Sequence, residues 1–142
     1  MIWRQKYECS IMTPEGALEG DLSIPKDAKA IVLFAHGSGS GRHSTRNQHV
    51  AQTLNDDAGL ATLLVDLLTP EEMEIDLKTR HLRFDVELLA RRLSAVTEWL
   101  MQEPKTKDLR IGYFGSSTGA AAALIAAAKI QRNDSIDCNK EL

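Results

Sequence analysis

At 142 residues the chain has room for one domain with a core of its own and no second domain of useful size. Hydrophobic residues make up 43% and charged residues 26%, an ordinary globular balance that excludes a disordered or fibrous chain. A formal net charge of −3 gives no basic footprint, so neither nucleic acid nor a membrane surface is expected as a partner. Arg4, Lys6 and Glu8 interrupt the first ten residues, so no secretory signal is expected. The longest weakly polar run, Gly119 to Ala128, has about half the length of a membrane-spanning helix. Cys9 and Cys138 lack metal-type spacing; counting allows a disulfide between them, and free thiols in a reducing cytosol are the favoured alternative. The expectation is a cytoplasmic α/β domain with no metal and no cofactor.

In chain order, Gln5 to Met12 and Gly16 to Ile24 read as two strands around a turn at Thr13 to Gly16, an edge hairpin wet on one face. Pro25 ends it. Ala30 to Ala35 is apolar on both faces, as an interior strand of a parallel sheet should be. It opens into the glycine-rich loop His36 to Gly41. A helix from about Arg46, with Val50, Ala51, Leu54 and Ala58 on one face, should end at Gly59. Leu60 to Leu67 reads as a second buried strand, and Thr69-Pro-Glu-Glu72 as the start of an acidic connection. Thr79 to Met101 has the helical stripe Leu82, Val86, Leu89, Leu93, Val96 and Leu100, with Pro104 as the stop. Leu109 to Gly115 is a third interior strand, and an alanine-rich helix follows from about Ser117 to Ile130. Strand and helix alternate, which predicts an α/β fold: a mainly parallel sheet with helices on both faces and an N-terminal antiparallel hairpin. Residues 1–130 form the domain, and 131–142 read as a polar, disordered tail.

Gly115-Ser116-Ser117-Thr118-Gly119 is a G-x-S-x-G motif between an apolar strand and an alanine-rich helix. In that context the central serine sits at the apex of a sharp strand-to-helix turn, with its Oγ above the end of the sheet. Gly115 and Gly119 are needed where a β-carbon would meet the neighbouring strand or helix. The helix N-terminus adds N–H groups where an oxyanion develops. The plainer reading is a serine that only caps a helix. His36-Gly37-Ser38-Gly39 supplies the second signal, since a glycine-rich turn lets main-chain amides reach a reacting carbonyl. The Ser38 amide, paired with that of Thr118, is the candidate oxyanion hole. His36 reads as a hydrogen-bonding group that holds the loop, in preference to a general base. Arg42 and His43, with Arg46, are candidates for steering an anionic substrate, evenly matched by the reading of a solvated helix start. His49 and His81 read as surface residues.

Phe34 to Ser44, Arg46-Asn47, Gly59 to Leu68, Arg80 to Asp85 and Gly112 to Ala121, taken together, resemble the dienelactone-hydrolase-like branch of the α/β-hydrolases. The resemblance runs from about residue 5 to 129. It implies an ester or lactone hydrolase with Ser117 as nucleophile, Ser38 and Thr118 as oxyanion amides, and a small-molecule substrate. Some relatives in that branch are fused to phosphoribosyltransferase domains.

One departure stands out. In α/β-hydrolases the acid and then the histidine follow the nucleophile in the chain. The four histidines here, His36, His43, His49 and His81, all precede Ser117, and only Asp134, Asp137 and Glu141 offer carboxylates after it. A serine without a base is a poor nucleophile. The expectation is therefore an incomplete α/β-hydrolase fold, nearly inactive as it stands, with truncation as the favoured cause. Such a chain would expose the strand at Leu109 as an apolar edge and self-associate through it. Two alternatives compete: a non-catalytic interaction domain that keeps the elbow, and a phosphate binder using Gly37 to Gly41 at a helix N-terminus. The second is the weaker, since the loop lacks both the third glycine of G-x-G-x-x-G and a G-K-[ST] ending.

Overall fold

A computed structural model describes residues 4–36 and 41–133. Its elements are β1 (Arg4–Thr13), β2 (Gly16–Pro25), β3 (Ala30–Ala35), α1 (Thr45–Ala58), β4 (Ala61–Val65), α2 (Pro70–Thr79), a 3₁₀ turn (Leu82–Phe84), α3 (Val86–Gln102), β5 (Arg110–Gly115) and α4 (Thr118–Asn133). The strands lie in the order β1-β2-β4-β3-β5.

Strands β4, β3 and β5 run parallel, as the alternation of strand and helix requires. The N-terminal hairpin is antiparallel, and β2 continues antiparallel onto β4 with Leu22 opposite Leu63. The sheet is thus three parallel strands extended by the expected antiparallel hairpin. The hairpin joins it because Leu18 and Leu22 are buried on a face that β4 extends. Its two-residue turn pairs Thr13 with Gly16. Gly16 has φ 139, and a β-carbon there would lie 2.9 Å from the Thr69 methyl group.

Helices cover both faces. Leu33 and Leu63 pack with Leu89, Leu93, Ala122 and Ala126 on the α3/α4 side, while Phe34, Leu64 and Ala51 meet on the α1 side. Each fully buried leucine contributes about 1.5–3 kcal/mol of transfer free energy. Helix α1 begins with Ser44, whose Oγ accepts the Asn47 N–H, and ends at Gly59 with φ 66. Its buried face differs from the apolar stripe: Asn47, Ala51 and Asn55 are buried and Ala58 is exposed. Asn55 donates to the Leu60 carbonyl (2.8 Å) and the Thr62 hydroxyl (3.2 Å), so the polar seat is satisfied from β4.

Two expectations between residues 69 and 101 are overturned. The acidic connection is a helix, α2, with a complete capping box: Thr69 Oγ1 accepts the Glu72 N–H and the Glu72 carboxylate accepts the Thr69 N–H. Pro70 at its first position is preset for the helix. The long helix from Thr79 is really the end of α2, a break at Arg80 (φ 57), the 3₁₀ turn and then α3, capped by Asp85. Leu82 therefore leaves the stripe, while Leu89, Leu93, Val96 and Leu100 are fully buried. Helix α3 stops at Gln102, and Glu103 is extended, as the residue before Pro104 prefers to be.

An ion pair between buried Arg92 and half-buried Glu72 ties α2 to α3. Arg92, 1% exposed, grips Glu72 through both terminal nitrogens (2.6 and 2.7 Å) and also donates to the Leu67 carbonyl. These hydrogen bonds from Arg92 hold the Glu72 carboxyl below the ordinary carboxylate range against the opposing effect of burial.

Strand β5, interior by composition, is a sheet edge among the described residues, as expected of an incomplete fold: it pairs with β3 alone. Ile111 and Tyr113 are half-buried toward α3 and α4, whereas Phe114 is 36% exposed on the other face. Its ring meets Phe34 at 5.0 Å. Helix α4 runs on to Asn133, three residues past the expected end of the domain; 134–142 lie outside the described residues.

Candidate active site

The parallel strands all finish at one end of the sheet, and the loops that leave them there build the candidate site. Strand β5 ends at Gly115 and α4 begins at Thr118, so Ser116 and Ser117 alone reverse the chain. Ser117 lies outside the helix, exposed, with φ 57. That left-handed conformation costs a residue bearing a β-carbon about 1–3 kcal/mol and persists only where the surroundings impose it. Here they do: the Gly119 N–H donates to the Ser116 carbonyl (2.9 Å) and the Ala120 N–H to the Ser117 carbonyl (3.1 Å), closing the first turn directly on the bend.

The two glycines explain themselves by distance. A β-carbon on Gly115 would lie 2.8 Å from Ala120 Cα and 2.9 Å from its nitrogen. One on Gly119 would lie 2.7 Å from the Ala35 carbonyl carbon, and nearer still to the oxygens of Ala35 and His36. All these neighbours are backbone, so no side-chain rotation relieves the clash. The elbow is therefore pressed against the end of β3, where the glycine-rich loop begins. Buried Ala122, Ala123 and Ala126 let α4 approach that closely.

His36 is 4% exposed, and its Nε2 accepts the Leu67 N–H at 2.9 Å. The ring thus ties the start of the loop to the chain leaving β4. Gly37, Ser38 and Gly39 lie outside the described residues. At the far side of the loop Arg42 is anchored just as firmly. Its N–H and Nε reach the two oxygens of Asp66 (2.7 and 3.0 Å), and its terminal nitrogens reach Asp21 and Glu19 (3.0 Å each). A guanidinium matched by three carboxylates offers little field to an incoming anion. His43 is exposed, on the rim of a cleft of about 290 Å³ walled by His36, Leu68, Met73, Leu77 and Arg83. Two larger hollows, about 460 and 550 Å³, flank the hairpin, and none of the three is lined by an elbow residue. His49 and His81 are exposed.

Sequence reasoning misses two residues beside the elbow. Asp76, buried in α2, accepts the Arg83 N–H (3.1 Å) and Arg83 Nε (2.8 Å). The Arg83 carbonyl in turn accepts the Thr118 hydroxyl at 3.0 Å. Burial works against the Asp76 charge, yet the Arg83 amide and guanidinium hold its carboxyl below the ordinary range. Only the break at Arg80 brings these groups together, and without α2 in view no spacing in the sequence reveals it. Among the described residues no group of three or more His, Cys, Asp or Glu could hold a metal ion, and no helix is long and apolar enough to cross a membrane.

No protein-family model matches the chain. Among solved structures, Est1E from Butyrivibrio proteoclasticus superposes with a TM-score of 0.68 at 20% identity, over 88% of this chain and 46% of that one. A hyperthermophilic esterase from the archaeon Pyrobaculum calidifontis gives 0.68 at 18% identity, over 92% and 41%. At such identities the likeness is one of fold, and the fold is that of the α/β-hydrolases. A dienelactone hydrolase from Anabaena variabilis is far nearer, with 60% identity and a TM-score of 0.86 over 89% of this chain. Over the residues it shares, the chain is similar to that dienelactone hydrolase in sequence as well as in fold. It spans 58% of the Anabaena chain. A Mycobacterium tuberculosis protein provisionally named a phosphoribosyl transferase is 53% identical over 121 residues, 85% of this chain but only 26% of that relative.

Proposed function

We propose that Ser117 is the nucleophile of an acyl hydrolase acting on a small ester or lactone. Its Oγ adds to the substrate carbonyl, and the amides of Thr118 and Ser38 receive the developing oxyanion. The alcohol departs to leave an acyl-serine, which water then cleaves. The observation that carries this reading is the left-handed Ser117 at the apex of a bend whose glycines admit no β-carbon. The 60% identity to a protein named dienelactone hydrolase supports the substrate class.

No histidine follows Ser117 in the 142 residues, and the Nε2 of His36 is engaged by the Leu67 amide. These residues thus hold the nucleophile and its oxyanion donors without an evident general base. Removing the base from a triad lowers turnover on the order of 10⁶-fold, so these residues by themselves should be nearly inactive. Of Arg42 and His43, the exposed His43 is the better candidate for meeting substrate, because the Arg42 guanidinium is already matched by Asp66, Asp21 and Glu19.

A fluorophosphonate probe and turnover of a short-chain nitrophenyl ester test the assignment. Both signals should vanish in Ser117→Ala; ester turnover unchanged by that substitution refutes it. With His36 Nε2 engaged by the Leu67 amide, a second reading is a non-catalytic domain that retains the elbow, which predicts no labelling of Ser117 in any longer form or mixture. The outer edge of β5, unpaired among the described residues, supports self-association between copies. Light scattering that reports a monomer at high micromolar concentration would rule that out.

A further inference from the structure

Thr118 follows Ser117 directly and opens α4, so whatever fixes Thr118 also fixes the amide at the tip of the elbow. Its hydroxyl donates to the Arg83 carbonyl, which belongs to the 3₁₀ turn between α2 and α3. That turn is three residues long and none of them is fully buried; Leu82 packs partly against the core. Its polar anchor is Asp76. The left-handed Arg80 folds the chain back over α2 and brings Arg83 beneath Asp76, and each carboxylate oxygen takes one bond from Arg83. A carboxylate that is 5% exposed is costly to bury, and an apolar residue could pack α2 at no such cost. A charged, two-point bond adds direction, which packing lacks.

We infer that Asp76 is a positioning residue: through Arg83 it orients the Thr118 hydroxyl, and so the first turn of α4 that faces the reacting carbonyl. Its functional consequence rests on the acyl-hydrolase reading above; the coupling from Asp76 to the elbow does not. The three residues form one relay. Asp76 holds Arg83, Arg83 holds Thr118, and neither contact involves substrate.

The experiment compares Asp76→Asn, Thr118→Val, Thr118→Ser and the Asp76→Asn/Thr118→Val double variant with the parent chain. Amide hydrogen exchange is read at residues 115–121 and, as an internal reference, in the β1–β2 hairpin. Asp76→Asn and Thr118→Val should each speed elbow exchange about tenfold, the equivalent of one lost hydrogen bond, with hairpin exchange unchanged. Thr118→Ser keeps the hydroxyl and should restore the parent rate. The double variant should match either single, because both break the same relay. Parental elbow exchange in Asp76→Asn, or additive effects in the double variant, overturns the inference. Should Asp76→Asn fail to fold, the Thr118→Val and Thr118→Ser pair decides: equal elbow exchange in both refutes the relay. Where Ser117-dependent ester turnover is measurable, Asp76→Asn should lower kcat and leave KM within about twofold, the mark of a transition-state contact; a rise in KM alone overturns the positioning role. Turnover that survives Ser117→Ala defeats the hydrolase reading, while the exchange result still decides the coupling.

Discussion

Replacing Gly119 with alanine adds one methyl group where α4 meets the end of β3. The new β-carbon would lie 2.7 Å from the Ala35 carbonyl carbon and closer to the Ala35 and His36 oxygens, inside the 3.0 Å that such contacts do not breach. Neither side can yield freely. Ala35 is locked in the ladder opposite Gly115, and His36 is bound to the Leu67 amide. Overpacking of this kind costs about 1–3 kcal/mol, and the backbone clash puts Gly119→Ala near the top of that range. For a domain of this size, about 3 kcal/mol lowers Tm by roughly 9 °C. Gly112→Ala is the natural control, since a β-carbon there meets nothing within 4 Å and the substitution stiffens a strand. It should stay within about 0.5 kcal/mol of the parent. Thermal denaturation followed by circular dichroism reads both variants. A Gly119→Ala melting point within about 2 °C of Gly112→Ala would refute the close approach of elbow and loop.

Three other outcomes follow from the same contacts. Glu72→Ala leaves the Arg92 guanidinium, 1% exposed, with only the Leu67 carbonyl and Glu15 at 3.5 Å, and should cost about 2–3 kcal/mol by urea unfolding; adding Arg92→Met should recover most of it, and a loss under about 1 kcal/mol would disprove an organising role for the pair. Glu72 and Asp76 are held below the ordinary carboxylate range, so their contribution is present above about pH 4 and is lost as pH falls through and below that value. Urea midpoints measured from about pH 6 down to about pH 3 should drop more steeply in the parent than in Glu72→Gln or Asp76→Asn, and identical slopes would contradict the assignment. His36→Leu leaves the Leu67 N–H without its acceptor and should cost about 1–3 kcal/mol, with faster exchange at that amide; unaltered exchange would show that the ring does not hold it.

Much of this arrangement is legible in the sequence because its signals are local. The apolar run Ala30 to Ala35 matches β3 residue for residue, and Gly59 ends α1 as its left-handed φ requires. The strand, motif and small-residue helix around Ser117 suffice to place the bend. What escapes is of two kinds. Helix α2 carries a readable capping box, but its first turn is acidic and its apolar residues Ile75 and Leu77 are exposed, so periodicity gives no warning of it. The stripe from Leu82 to Leu100 hides the break at Arg80 because a helical period persists across a gap that tertiary contacts with Asp76 impose. The Asp66–Arg42 and Asp76–Arg83 contacts belong to the same class. Strand β5 reads as interior from its composition, and its edge position among the described residues follows only from the expectation that the fold is incomplete.

Thr69 joins two distant parts of the chain. Its hydroxyl starts α2, and its methyl group occupies the space a side chain at position 16 would need. The tip of the N-terminal hairpin is thereby wedged against the root of the helix that walls the cleft. A longer or bulkier hairpin tip would prise Thr69 away and unseat α2 with it. Variation in the first sixteen residues can accordingly reshape the mouth of the cleft without altering a single residue that lines it.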